Sequence, residues 1–227
     1  MINITQGNIK NRIWISVMIL IILLSIFSGC LNEELQLDNV EVREYQGEKL
    51  SSINDFRENS IKGPKYISKD NYTLKITGLI QQNINFSYDQ IIKNFKNYKK
   101  MVTLFCVEGW SVKILWEGIL IEDILKTLNI SNDAEIIIFH AYDGYTTSLP
   151  IDYIIDNRII IAYKMNNVTL PIQRGFPFQL VAESKWGYKW IKWITEIEVS
   201  NNLGYEGYWE RRGYSNNADL NKSFFEE

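Results

Sequence analysis

The strongest restriction on the fold comes from short apolar segments of strand-like period that are separated by turn residues. Residues 72–80 alternate in polarity, residues 135–141 form an apolar run, and the Asp-Gly-Tyr sequence at 143–145 is typical of a hairpin turn. Helical periodicity is confined to short stretches at 87–95, which begins with a capping box, and at 121–128. Since strands and helices do not alternate regularly, we predict an α+β domain with mixed β-sheets and scattered helices.

The N-terminal segment has the composition of a targeting signal. Lys10 and Arg12 precede an almost wholly apolar run at residues 13–27, which is short for a membrane span and typical of a signal-peptide core. The run ends in the tetrapeptide Phe-Ser-Gly-Cys, which resembles a lipoprotein processing box. Residues 1–29 are therefore predicted to be a signal peptide and Cys30 the lipidated residue, with an uncleaved anchor helix as the alternative. Both interpretations predict an extracytoplasmic domain anchored to the cell membrane.

An acidic segment separates this signal from the predicted domain. Residues 31–55 contain seven acidic and two basic side chains without clear apolar periodicity, so residues 30–55 are interpreted as an extended tether and residues 56–227 as the folded domain. The 227-residue chain is 46% hydrophobic, which is enough for one sizeable core. Its net charge of −3 and the absence of a basic stripe argue against a nucleic-acid partner.

A cysteine at the end of a predicted strand is the main candidate for chemistry. The apolar residues 100–105 lead into Cys106, which is followed by a Val-Glu-Gly-Trp-Ser turn. The chain has two cysteines, so a lipidated Cys30 would leave Cys106 without a disulfide partner; a metal bond or deep burial would explain such a thiol. His140 is the only histidine, which makes zinc, non-haem iron and copper sites unexpected, and we expect it to be a satisfied core histidine.

Four segments of the chain together resemble the sulfite-oxidase-like molybdopterin oxidoreductases. In chain order the segments are residues 57–64, 106–111, 171–181 and 187–193. This order resembles that of the short prokaryotic branch that includes the periplasmic methionine-sulfoxide reductase catalytic subunit. The resemblance implies a sulfite-oxidase-type fold and a molybdopterin cofactor that carries molybdenum, with a tungsten form as an alternative.

The same resemblance implies the residues of the site. Cys106 would be the catalytic metal ligand. The implied cofactor-binding residues are Asn59, Ile61, Lys62, Cys106, Arg174, Gln179, Trp190, Ile191 and Lys192. The family usually has an arginine at the position of Gln179, so we expect Arg174 and Lys192 to provide the positive charge for the pterin phosphate. The segment at residues 187–193 and its continuation to Val199 are predicted to form a strand. Ile191, Trp193, Ile197 and Val199 would lie on one face of that strand.

The expected activity is that of an exported molybdopterin-dependent oxidoreductase that transfers an oxygen atom on a small oxo substrate such as sulfite or a sulfoxide. A non-catalytic binding or accessory lipoprotein with the same fold is the alternative, favoured by Gln179. The chain has no Cys-x-x-Cys-His haem motif, so a separate electron-transfer partner, membrane-bound or not, is expected for a monomeric enzyme. Candidate aromatic walls of the pocket are Trp110, Trp116, Tyr208 and Trp209.

Overall fold

The computed structural model describes residues 41–225, with a folded unit that begins at Val42. Its strands are β1 (Glu44–Tyr45), β2 (Glu48–Lys49), β3 (Thr73–Gly78), β4 (Ile84–Ser87), β5 (Asn97–Phe105), β6 (Ser111–Leu120), β7 (Ile136–Ala141), β8 (Thr146–Pro150), β9 (Ile160–Met165), β10 (Val168–Thr169), β11 (Gln179–Val181) and β12 (Ile194–Ser200). Its helices are α1 (Tyr88–Asn94), α2 (Ile121–Leu125) and α3 (Ile151–Asp156).

The predicted start of the first helix is confirmed in detail. Ser87 Oγ accepts a hydrogen bond from the backbone N–H of Gln90 at 3.2 Å, and Gln90 Oε1 accepts one from the backbone N–H of Ser87 at 2.8 Å. This reciprocal capping satisfies two backbone donors that the helix leaves unpaired. Ile91 then lies fully buried on the inner face of α1.

Two five-stranded sheets form the body of the domain. In the first sheet the order is β10-β9-β6-β5, with β11 also paired to β9, and every pairing is antiparallel. In the second sheet the order is β4-β3-β12-β7-β8, and β12 runs parallel to β3 but antiparallel to β7. One antiparallel sheet, one mixed sheet and three short helices among the described residues confirm the predicted α+β class.

Residues before Phe56 pack onto this body. Leu50 and Ile53 are 5% and 3% exposed, and Ser52 caps a 3-10 turn at Ile53–Asp55. The ordered unit therefore begins on the N-terminal side of the boundary that the acidic composition suggests, because a few apolar residues in that segment have surfaces to bury. The predicted signal peptide and Cys30 lie outside the described residues. Within residues 41–225, no helix has the length and apolarity that crossing a membrane requires.

The environment of His140 differs from the predicted core histidine. Its neighbours in β7, Phe139 and Ala141, are buried, whereas the His140 side chain points to the opposite face of the sheet and is 30% exposed. Its Nε2 atom lies 2.8 Å from Glu198 Oε2. Strand alternation places it on the partly solvated face, which the apolar composition of the segment does not reveal.

Candidate active site

A cavity of about 260 Å³ opens where the ends of β5, β11 and β12 meet. Its lining includes all the residues implied by the family resemblance except Lys62: Asn59, Ile61, Cys106, Arg174, Gln179, Trp190, Ile191 and Lys192. Lys62 is exposed, and its ammonium group lies beside Gly144 instead. Segments that are far apart in the sequence thus converge on one concave site.

Cys106 lies immediately after β5 and is 7% exposed. Its backbone N–H donates to Trp110 O at 2.9 Å, and its carbonyl accepts from the N–H of Gly109 at 3.0 Å, which closes a tight turn. Gly187 packs so closely here that a Cβ atom would lie 3.1 Å from Phe105 O. The turn and the glycine fix the thiol at the cavity wall.

The surroundings of the thiol favour its protonated form in the metal-free protein. Burial raises the pKa of the Cys106 thiol above its ordinary value, against a backbone hydrogen bond from Glu108 that lowers it. The Glu108 carboxylate accepts from Asn59 Nδ2 at 3.1 Å and from Trp110 Nε1 at 3.2 Å. A cation at the sulfur would reverse the preference, because coordination keeps a thiol deprotonated.

Two cationic side chains line the cavity near the segment at residues 56–58. Arg174 donates to Phe56 O at 3.0 Å and to Arg57 O at 3.2 Å. Lys192 Nζ lies 2.9 Å from Glu58 Oε1. Burial lowers the pKa of both cations, and Glu58 opposes the shift in each case. Among the described residues Arg174 has no carboxylate within 4.0 Å, so its guanidinium group could receive an anion at the cavity.

Gln179 provides an acceptor that the protein itself does not use. Its side chain is 3% exposed, and its Oε1 atom has no hydrogen-bond partner among the residues described by the structure. Neighbouring Gly175 has a φ of 97°, and a Cβ atom there would lie 3.0 Å from Lys192 Cβ. The glycine therefore lets the 3-10 turn at Ile172–Arg174 pack against Lys192.

The predicted strand to Val199 is confirmed from Ile194 onward, but its extension over Ile191 and Trp193 is wrong. A 3-10 turn occupies Gly187–Lys189, Trp193 has a φ of 54°, and β12 begins only at Ile194. The Trp193 indole N–H donates a hydrogen bond to Ile172 O at 2.8 Å, which helps to stabilise the left-handed backbone conformation of Trp193. The bend turns Trp190, Ile191 and Lys192 along the cavity, whereas a straight strand would direct alternate residues to opposite faces.

The C-terminal part of the chain supplies aromatic walls. Trp110 and Trp209 line the cavity as predicted, whereas Trp116 is fully buried in the core and Tyr208 packs against Tyr145 outside the lining. Further lining residues that the sequence did not indicate are Arg57, Asp143, Tyr145, Tyr188 and Tyr214. The sequence analysis assigned them no role, although Arg57 and Tyr188 lie in the family-like segments 57–64 and 187–193, and Asp143 and Tyr145 belong to the predicted hairpin turn.

Comparison with known families gives one match over most of the described unit. A family model described as an oxidoreductase molybdopterin binding domain matches residues 61–209. The chain is 30% identical over 157 residues to the oxidoreductase YuiH of Bacillus subtilis, which covers 69% of this chain and 78% of that protein.

More distant similarities extend the comparison. The chain is 28% identical over 177 residues to the protein-methionine-sulfoxide reductase catalytic subunit MsrP of Xanthomonas axonopodis pv. citri, and spans 55% of that relative's length. The sulfane dehydrogenase SoxCD from Paracoccus pantotrophus superposes with a TM-score of 0.60 over 67% of this chain and 43% of that one. At 17% identity this structural likeness concerns the fold.

Proposed function

Because the chain belongs to the family of oxidoreductase molybdopterin-binding domains, we propose that it transfers an oxygen atom at the sulfur of a small oxo substrate, preferably a sulfoxide. Membership and the sulfite-oxidase-type fold make it a molybdopterin-dependent oxidoreductase. They favour an enzyme over the non-catalytic accessory lipoprotein. Relatives named as methionine-sulfoxide reductases support the choice of a sulfoxide, as do aromatic walls that suit its organic substituents.

The residues present at the cavity fit the cofactor. Cys106 offers a soft sulfur donor, which suits a metal of this class. A pterin phosphate carries about two negative charges, and burying them requires cations such as Arg174 and Lys192. Gln179 Oε1 is a buried acceptor without a partner among residues 41–225, and a pterin ring carries N–H donors that would satisfy it.

In this proposal the residues of the cavity bind and orient the cofactor and enclose the substrate. The thiolate of Cys106 would hold molybdenum, which would supply two-electron redox chemistry coupled to oxygen-atom transfer. Arg174 and Lys192 would bind the phosphate, while Gln179 and Asn59 would orient the pterin. Trp110, Trp209 and Tyr214 restrict water and receive the apolar part of the substrate. The burial of the thiol within this constellation is the observation that supports the assignment most.

The proposal includes the cellular context. The basic and apolar residues at 10–27 and Cys30 support an extracytoplasmic enzyme anchored to the membrane. Electrons would come from a separate partner, which the membrane location would bring close. A monomeric enzyme is part of the same proposal.

Turnover of Cys106→Ser tests the proposal. The purified protein, with a reduced viologen dye as electron donor, is expected to reduce dimethyl sulfoxide or methionine sulfoxide. Cys106→Ser should lose more activity than the about 10–100-fold that changes around a metal ligand typically cost. The matched control is Ala141→Ser, since Ala141 is 8% exposed at a strand end outside the cavity lining and should retain activity.

Two outcomes would contradict the proposal. Equal turnover of Cys106→Ser and the parent would exclude the thiolate as ligand. Oxidation of sulfite with a dye acceptor, without any sulfoxide reduction, would reject the preferred substrate class while leaving the thiolate assignment intact.

A further inference from the structure

A second group of potential ligands lies outside the cavity, on the partly solvated face of the second sheet. His140, Glu196 and Glu198 are all half-buried, and one potential ligand atom from each lies within 4.8 Å of the others. None of the three lines the cavity described above. The group brings one imidazole nitrogen and two carboxylate oxygens to a single point.

The register of two central strands produces this arrangement. Glu196 and Glu198 are two residues apart in β12, so their side chains project to the same face. His140 in β7 is the direct cross-strand partner of Glu196, and the pairing shifts register between Ile194 and Glu196. Cross-strand and alternate neighbours on one face lie close together, and strands hold such positions more rigidly than loops.

A polar residue on the neighbouring strand supports one of the carboxylates. Thr77 Oγ1 in β3 donates to Glu196 Oε1 at 2.6 Å, which orients the carboxylate and leaves its second oxygen available. Hydrogen bonds of this kind around a ligand are typical of metal sites. Lys75 in β3 pairs in register with Glu196, but its ammonium forms no ion pair within 4.0 Å among the described residues.

We propose that His140, Glu196 and Glu198 form a binding site for a divalent transition-metal cation, with Zn²⁺ as the best fit. Zinc accepts histidine nitrogen and glutamate oxygen, and three protein ligands with water in the remaining position are a common set. Two carboxylates balance the charge of the ion. The single histidine argued against zinc at the sequence level, but here carboxylates complete the ligand set.

A cation bound there would join the two strands that lead to the cavity. β7 continues into the turn that carries Asp143 and Tyr145, and β12 follows directly after the Lys192 segment. Since each ligand lies only a few residues from a cavity wall, the ion would restrain both walls relative to each other. The site is therefore a structural clamp, and its existence does not depend on the proposed reaction.

The sole histidine allows a direct experiment. The full chain is purified without a polyhistidine tag, in a Cys30→Ser/Cys106→Ser background that removes both thiols, and is treated with a chelator. Zn²⁺ alone is then titrated while the imidazole resonances of His140 are followed by NMR. Binding of one Zn²⁺ per chain should shift these resonances and saturate.

Matched variants identify the ligands. Glu198→Gln and Glu196→Gln should each weaken binding at least about tenfold, and Thr77→Val about 10–100-fold as a change around a ligand. The control is Glu135→Gln, which removes the same charge from an exposed residue about 17 Å along β7 from His140, and it should bind like the parent. Unshifted His140 resonances, or equal binding by the glutamine variants, would show that the His140–Glu198 contact is only a surface hydrogen bond.

Discussion

The ammonium group of Lys192 already has an anionic partner in this structure, the carboxylate of Glu58 at 2.9 Å. Lys192 and Glu58 are 15% and 29% exposed, so the pair is partly shielded from water. In the proposed complex, the pterin phosphate and Glu58 would compete for the same cation. Glu58 therefore limits the affinity of the phosphate site.

Replacing Glu58 by Gln is expected to slow the release of the cofactor. The variant leaves Lys192 free for the phosphate, and a partly exposed ion pair is worth about 0.2–1 kcal/mol, which corresponds to about 1.4- to fivefold slower loss. The measurement is pterin fluorescence in the dialysate. The control, Glu48→Gln, removes an acid from the exposed ion pair with Lys113 and should leave release unchanged. Faster release from Glu58→Gln would instead mean that Glu58 holds Lys192 in its binding position.

At the level of secondary-structure elements, a buried ion pair fixes the C-terminal segment that carries Trp209 and Tyr214. Lys189 and Glu210 side chains are fully buried, with Lys189 Nζ 2.6 Å from Glu210 Oε1. Thr147 Oγ1 also donates to Glu210 Oε1 at 2.7 Å. The pair links the 3-10 turn at Gly187–Lys189, which precedes the bend at residues 190–193, to the segment that carries Trp209 and Tyr214.

Breaking this pair should destabilise the whole domain. Lys189→Met leaves Glu210 charged and buried, which typically costs about 3–5 kcal/mol. Urea denaturation followed by tryptophan fluorescence measures the change. The control is Lys126→Met, which breaks an exposed ion pair with Glu122 and should cost at most about 1 kcal/mol. The double variant Lys189→Met/Glu210→Leu should recover much of the loss, and a single variant as stable as the control would contradict this role.

Secondary-structure elements with a clear hydrophobic periodicity were predictable from the sequence. Elements whose conformation depends on tertiary contacts were not. Alternation and turn residues identified β3, β7 and β8, and the capping box identified α1, because these signals are local. The Lys-Trp-Ile-Lys-Trp sequence suggested a strand, yet the left-handed backbone of Trp193 depends on packing against the distant Ile172. Local propensity cannot anticipate a backbone conformation stabilised by a remote carbonyl.

For the molecule as a whole, the family resemblance named residues that, apart from Lys62, line one cavity in the fold. The order of the four family-like segments carried that information. The parallel pairing of β12 with β3, the aromatic C-terminal wall and the His140 cluster required the assembled chain. Each of these depends on contacts between residues that are far apart in sequence.

The metal content of the purified protein tests the central claim most directly. Elemental mass spectrometry of protein from a molybdate-replete host should find close to one molybdenum or tungsten atom per chain. Cys106→Ser should retain much less, whereas Ala141→Ser should match the parent. A folded parent protein without either metal, or a Cys106→Ser variant with the full metal content, would contradict the assignment of Cys106 as the ligand of a molybdopterin centre.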